Sequence, residues 1–276
     1  MPSPSRWLTH TPMTELAALS PSVERLPSEV ADLNRVVQGL LVHCDWLGLH
    51  ADDPSVFGPV SRATLPAGQR LAAILERDGR ALDVARLPTR RAVGTCRDFA
   101  LMMTAFLRTK GTAARLRCGF AAYLGDGWVD HWVCEYWSGR ESRWCLSDAQ
   151  IDDAIRAARG VTFDAANVPR DAFLTAGEAW LRCRAGRDDP ERFANGGTKG
   201  RWYMKVNVVR DALVVNNRET SAWDTWRDAP PELRTVSPGE IAALDRLSRN
   251  PEGALDLVPP DLVPPDLVPP WLAAKP

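Results

Sequence analysis

The sequence has no GxGxxG run and no GxxxxGK[ST] run, which removes the usual glycine-rich cradles for nucleotide phosphates. It has no CxxC, no HExxH and no paired Cys/His cluster, so no structural or catalytic metal is expected, and no cofactor. No stretch approaches the roughly 18 uninterrupted apolar residues that a membrane helix needs. The first twenty residues, MPSPSRWLTHTPMTELAALS, lack a basic start followed by an apolar stretch. No secretory signal is therefore expected, and the expected location is cytoplasmic. Charge of one sign is also missing: 34 basic residues stand against 35 acidic ones, a formal net charge of -1. That balance gives no steering toward nucleic acid or an anionic membrane, and neither is expected as a partner. Lysine is scarce, with Lys110, Lys199, Lys205 and Lys275 as the only ones; such an arginine bias can follow from genomic base composition, and no function is built on it. Cysteines are few and scattered, at 44, 96, 118, 134, 145 and 183. In a long chain without a secretory signal or dense cysteine spacing, reduced thiols are expected rather than a disulfide framework.

What is present suits a globular protein. Hydrophobic residues make up 45% and charged residues 25%, and 276 residues can bury a substantial core. Residues 1–27 are rich in Pro and Ser and read as a loose lead-in. A single domain is expected over 28–249, with its catalytic core at 90–152. From Pro27 to Leu47 apolar residues fall at helical spacing (Val30, Leu33, Val36, Val37, Leu40, Leu41, Cys44), with Ser28 as a candidate cap. Residues 50–66 read as a loop and 67–78 as a second helix. A third helix starts at Thr95-Cys96, carries a stripe of Phe99, Met102, Met103, Phe106 and Leu107, and closes at Gly111. Strand-like segments follow at 113–124, 128–136 and 143–147, separated by Gly125-Asp126-Gly127 and Ser138-Gly139. Consecutive strands of this length predict an antiparallel meander. Further on, 170–186 reads as helix, 201–215 fits helix or strand, and Trp223 and Trp226 are candidates to pack it onto the core. Ser237-Pro-Gly-Glu240 starts a short helix through Leu247. The end repeats Asp-Leu-Val-Pro-Pro three times from Asp256 to Pro270. Paired prolines favour extended polyproline II, so 250–276 reads as a disordered tail or spacer, with docking to a partner as the alternative.

Three residues carry a specific chemistry. A cysteine attacks an acyl group as its thiolate, and Cys96 falls in the first turn of a helix, where the macrodipole and backbone N–H groups favour negative charge. Those N–H groups can also hold the oxyanion formed on attack. An imidazole must take the thiol proton and return it to the leaving group. His131, in D-H-W-V-C-E-Y-W, is the only His after Cys96. Asp148, at the end of the next strand in C-L-S-D-A-Q, can orient that ring. Taken singly, each has a plainer reading: a core cysteine, a satisfied strand histidine, a turn aspartate. Their order, helix then strand then strand, is what supports a triad.

The run G-T-C-R-D-F-A-L-M-M-T-A-F-L-R-T-K-G-T-A-A-R-L-R-C-G-F resembles the nucleophile helix and following strand of the transglutaminase-like superfamily. D-H-W-V-C-E-Y-W resembles its His strand, and W-C-L-S-D-A-Q its Asp motif. The resemblance covers about 60 residues and implies Cys96 as nucleophile, His131 as base and Asp148 as orienter. It also implies an α+β, papain-like fold with the nucleophile helix packed on an antiparallel sheet and flanking helices. Ala149 and Gln150 stand where eukaryotic members commonly carry proline, so calcium sites, protein cross-linking and glycan recognition are not carried over.

The expected activity is cysteine-dependent acyl transfer through a thioester, from a peptide, amide or small-molecule acyl substrate. Hydrolysis of an amide or isopeptide bond ranks ahead of transfer to an amine, because water is always available and no acidic amine pocket is visible. The alternatives are amide-bond formation in small-molecule biosynthesis and a non-catalytic binding module. Trp128, Trp132 and Trp137 are candidates to wall the groove, although strand alternation turns Trp132 away from His131; Trp128, in a Gly-rich turn, is the better candidate for substrate contact, with a core role ranking ahead of it. Oligomeric state is not legible.

Overall fold

The computed structural model describes residues 4–60, 62, 65–219 and 234–253. Trp223, Trp226 and the tail from 254 onward lie outside the described residues. Helices and strands are mixed, an α+β chain. Where a single domain was expected over 28–249, the chain divides into two compact units. The first is Met1–Leu116 with Val133–Pro169, and the second is Arg117–Trp132 with Arg170–Pro276.

The first unit opens with 3-10 turns at Pro4–Trp7 and Ala17–Leu19 and a short helix α1 (Ser20–Glu24). This stretch is not loose. Trp7 is buried, packs edge-on against Trp144 at 5.0 Å, and lies 4.5 Å from the Arg115 guanidinium, which also covers Trp144 at 4.1 Å. Cation–π contacts of this kind and burial of Met13, Leu16 and Val23 tie the lead-in down.

α2 (Val30–Leu40) is shorter than its helical spacing suggested, because Leu41 turns extended and starts β1 (Leu41–His43). β1 pairs in parallel with β2 (Ala92–Gly94), Leu41 opposite Ala92 and His43 opposite Gly94. Glu29, not Ser28, occupies the N-cap of α2, without a side-chain cap bond. Between the two strands lies α3 (Ala67–Arg77), as expected. α4 (Cys96–Thr109) is buried from Arg97 through Arg108. A helix buried on every side has to satisfy its polar residues internally. Arg108 does so through Ala114 O at 2.8 Å and Thr14 Oγ1 at 3.2 Å.

β3 (Ala114–Ala121) and β4 (Trp128–Ser138) divide between the two units, and β5 (Arg143–Ser147) returns antiparallel to β4, with Cys134 opposite Ser147. The Thr104 hydroxyl of α4 lies 3.3 Å from Cys134 Sγ, which seats the helix on this strand. α5 (Asp153–Arg159) follows, capped by the Asp152 carboxylate.

In the second unit β6 (Phe173–Thr175) pairs antiparallel with β3, and α6 (Ala176–Arg184) continues from it under a Thr175–Glu178 capping box. The expected helix at 170–186 thus begins as strand. A Cβ on Gly119 would lie 2.1 Å from Leu174 O, so the β3–β6 approach requires glycine there. β7 (Phe193–Asn195) pairs in parallel with β4, and β8 (Thr198–Lys199) pairs with β7. The strand order is β6-β3-β4-β7-β8, with β5 also on β4.

α7 (Gly200–Val215) resolves the helix-or-strand ambiguity: its valines are buried all round, so no face pattern shows in the sequence. Its Asp211 accepts from Arg117 Nε at 2.9 Å, Arg117 Nη2 at 2.7 Å and the Cys118 N–H at 3.0 Å. α8 (Pro238–Arg249) starts under the expected Ser237–Glu240 capping box. No helix among the described residues is long and apolar enough to cross a membrane.

Candidate active site

Cys96 is the first residue of α4. Thr95 is the N-cap, in extended conformation at φ -102° and ψ 170°. The Asp98 carboxylate accepts from the Thr95 N–H at 2.7 Å and from its hydroxyl at 3.1 Å. A carboxylate this close would oppose a thiolate, but Arg70 pairs with it at 3.0 Å. Arg70 also donates to Val93 O at 3.0 Å, joining α3 to the strand that leads into the nucleophile turn. Gly94 sits tightly against Asp98: a Cβ there would lie 3.1 Å from Asp98 Cβ and 3.2 Å from its Oδ2. The turn is thus braced on both sides. Its outward-pointing N–H groups and helix dipole favour an anion at Cys96.

Asp148 follows β5 directly and is buried in the same unit. Its N–H donates to Ala165 O at 2.8 Å, and its Oδ1 accepts from the Gln150 N–H at 3.0 Å. These bonds fix both backbone and carboxylate. His131 lies on β4, is buried in the second unit, and packs edge-on against Tyr123 at 6.0 Å and Phe173 at 6.4 Å. Its neighbour Asp130 accepts from the Tyr203 hydroxyl at 2.6 Å and Asn195 Nδ2 at 3.2 Å. Each sequence-predicted residue therefore stands at the element position expected of it: helix start, strand, strand end. Trp128 stacks on Phe193 at 5.8 Å within the core of the second unit, the packing role the sequence also offered.

Sequence reasoning missed a second polar group beside Cys96. The end of β1 carries His43, Cys44 and Asp45; the Cys44 N–H donates to Gly94 O at 2.9 Å. The Asp45 N–H donates to His43 Nδ1 at 3.1 Å, and the His43 ring stacks on Phe99 of α4 with centroids 6.4 Å apart. Arg62 forms an ion pair with Asp45. Burial pushes the Asp45 carboxyl up, but the Arg62 hydrogen bond and the electrostatic pull of His43 and Arg62 outweigh it, holding the group below its usual range. Burial likewise pulls Arg62 down, and Asp45 with the Cys44 and Cys96 thiols more than restores it. Burial and the Asp45 charge push the Cys44 thiol up to about 12. The ligand atoms of His43, Cys44 and Asp45 lie within 4.8 Å of one another, close enough to share a cation. The guanidinium already on Asp45 and the firmly protonated Cys44 thiol both oppose that use.

All six cysteines are free. Burial holds Cys134 at about 12 and Cys183 at about 11, and Cys118 Sγ lies 3.1 Å from Asn207 Oδ1.

The transglutaminase-like superfamily model matches residues 71–149, a span that holds Cys96, His131 and Asp148. Over that span the chain is similar to the transglutaminase-like superfamily. No curated protein matches the chain. Among solved structures, a chain described as a candidate cysteine protease from Cytophaga hutchinsonii aligns at 15% identity over 62% of this chain, with a TM-score of 0.40. The alignment spans 45% of that structure.

Proposed function

We propose that the protein is a thiol acyl-transfer enzyme that hydrolyses an amide or isopeptide bond, with Cys96 as nucleophile, His131 as base and Asp148 as orienter. The observation that carries this reading is Cys96 at the first position of a capped helix, with its first-turn carboxylate paired to Arg70, inside a span similar to the transglutaminase-like superfamily. His131 takes the Cys96 proton, and the thiolate adds to the substrate carbonyl. The tetrahedral oxyanion collapses, the C–N bond breaks, and the amine leaves with the proton from His131. Water, deprotonated by the same imidazole, then attacks the thioester and releases the carboxylic acid and the thiol. Asp148 holds the ring in the tautomer that allows both transfers.

The test is to trap the acyl-enzyme. Wild-type protein is incubated with a panel of short peptide amides with and without hydroxylamine, and products are read by mass spectrometry. A hydroxamate of the acyl group, together with a Cys96-bound adduct, is the expected result. Products that form equally with Cys96→Ala contradict the reading.

A further inference from the structure

We propose that His43 is a further catalytic residue, donating a hydrogen bond from Nε2 to the oxyanion that forms when Cys96 attacks. The inference rests on reading Cys96 as the nucleophile. Two independent contacts put this imidazole at the first turn of α4. In the β1–β2 ladder His43 stands opposite Gly94, two residues before Cys96, and a side chain on Gly94 would point at Asp98 in that same turn. Paired residues of a ladder project to the same side, so His43 leaves its strand toward the start of α4. The second contact is the stack on Phe99, which is three residues from Cys96 and so its neighbour on the helix surface.

The chemistry follows from the ring's other nitrogen. Nδ1 accepts the Asp45 N–H at 3.1 Å, so the proton of the neutral ring sits on Nε2. A ring fixed in that tautomer is a donor and not a proton acceptor at Nε2. It cannot duplicate the base role given to His131. What it offers is an N–H dipole, held in place by the strand pairing and by Phe99, in a buried setting where such a donor acts strongly on developing charge. Helix N–H groups at the first turn supply the other donors to the same oxygen.

Two reagents that attack the same thiol separate this role from any other. p-Nitrophenyl acetate acylates Cys96 through a tetrahedral oxyanion, releasing p-nitrophenolate; iodoacetamide alkylates it by direct displacement at carbon and forms none. His43→Ala is expected to lower the acylation rate constant on the order of 10²-fold, and to change alkylation by less than about threefold. His43→Gln, which keeps an N–H donor, should recover most of the loss. Alkylation at the wild-type rate also serves as the check that His43→Ala still folds. Parallel loss of both reactions would overturn the proposal, because His43 would then act on the thiol or on the fold. Equal acylation of wild type and His43→Ala would overturn it while leaving the Cys96 reading intact. A wild-type Cys96 that takes neither reagent would overturn both.

Discussion

Cys96 competes for electrophiles with five other thiols, and burial raises the pKa of three of them. Cys44 and Cys134 are held at about 12 and Cys183 at about 11, each chiefly by desolvation of the thiolate. A raised thiol pKa keeps the group protonated and unreactive, so these three stay silent until the pH climbs past about 10. At pH 7.5, limited iodoacetamide followed by peptide mapping is expected to mark Cys96 first, and at pH 11 the selectivity should collapse. Equal early labelling of Cys44 and Cys96 would remove the basis for a specialised nucleophile. The helix start at Cys96, the strand carrying His131 and the strand end before Asp148 were legible at this scale because each leaves a local mark in the sequence. His43 was not legible. Its strand has three residues, its partner lies about fifty residues away, and the helical spacing of Val37, Leu40, Leu41 and Cys44 runs straight over it.

Among the elements, α4 depends on its first turn. Asp98 caps Thr95, pairs with Arg70 and sits against Gly94. Asp98→Ala leaves Arg70 buried without its carboxylate and should cost about 3–5 kcal/mol in denaturant unfolding. Gly94→Ala should cost about 1–3 kcal/mol through overpacking against Asp98. Unchanged midpoints for both would show that the turn is not braced as described. α7 is held by another buried pair: Asp211→Asn disrupts the two Arg117 bonds and should destabilise by a similar amount, about 3 kcal/mol. Caps were the most readable features, since Thr95/Asp98 and Ser237/Glu240 announce helix starts within four residues. The identity of α7 was unreadable because burial on all sides erases periodicity, and the strand at Phe173–Thr175 was hidden by the apolar run of the helix it feeds.

Across the whole molecule, burial of titrating groups makes stability depend on pH. Cys134 has an ordinary value of 9.0 and is raised to about 12 in the folded state, and burial raises Tyr136 as well. The folded protein then binds those protons more tightly than the unfolded chain. Its stability is full below pH 9 and declines as the pH rises toward 12. Melting temperature should fall between pH 9 and 11, and the fall should be shallower in Cys134→Ala; an identical slope would assign the loss to other groups. The most direct test of the proposed chemistry uses the intact protein at neutral pH. The rate of Cys96 alkylation is measured for wild type, His131→Ala and Asp148→Ala, each shown to be folded by circular dichroism. The account predicts rapid, selective labelling of Cys96 in wild type, a strong slowing without the imidazole and a smaller one without the carboxylate. Labelling of Cys96 at the same rate in all three would contradict it.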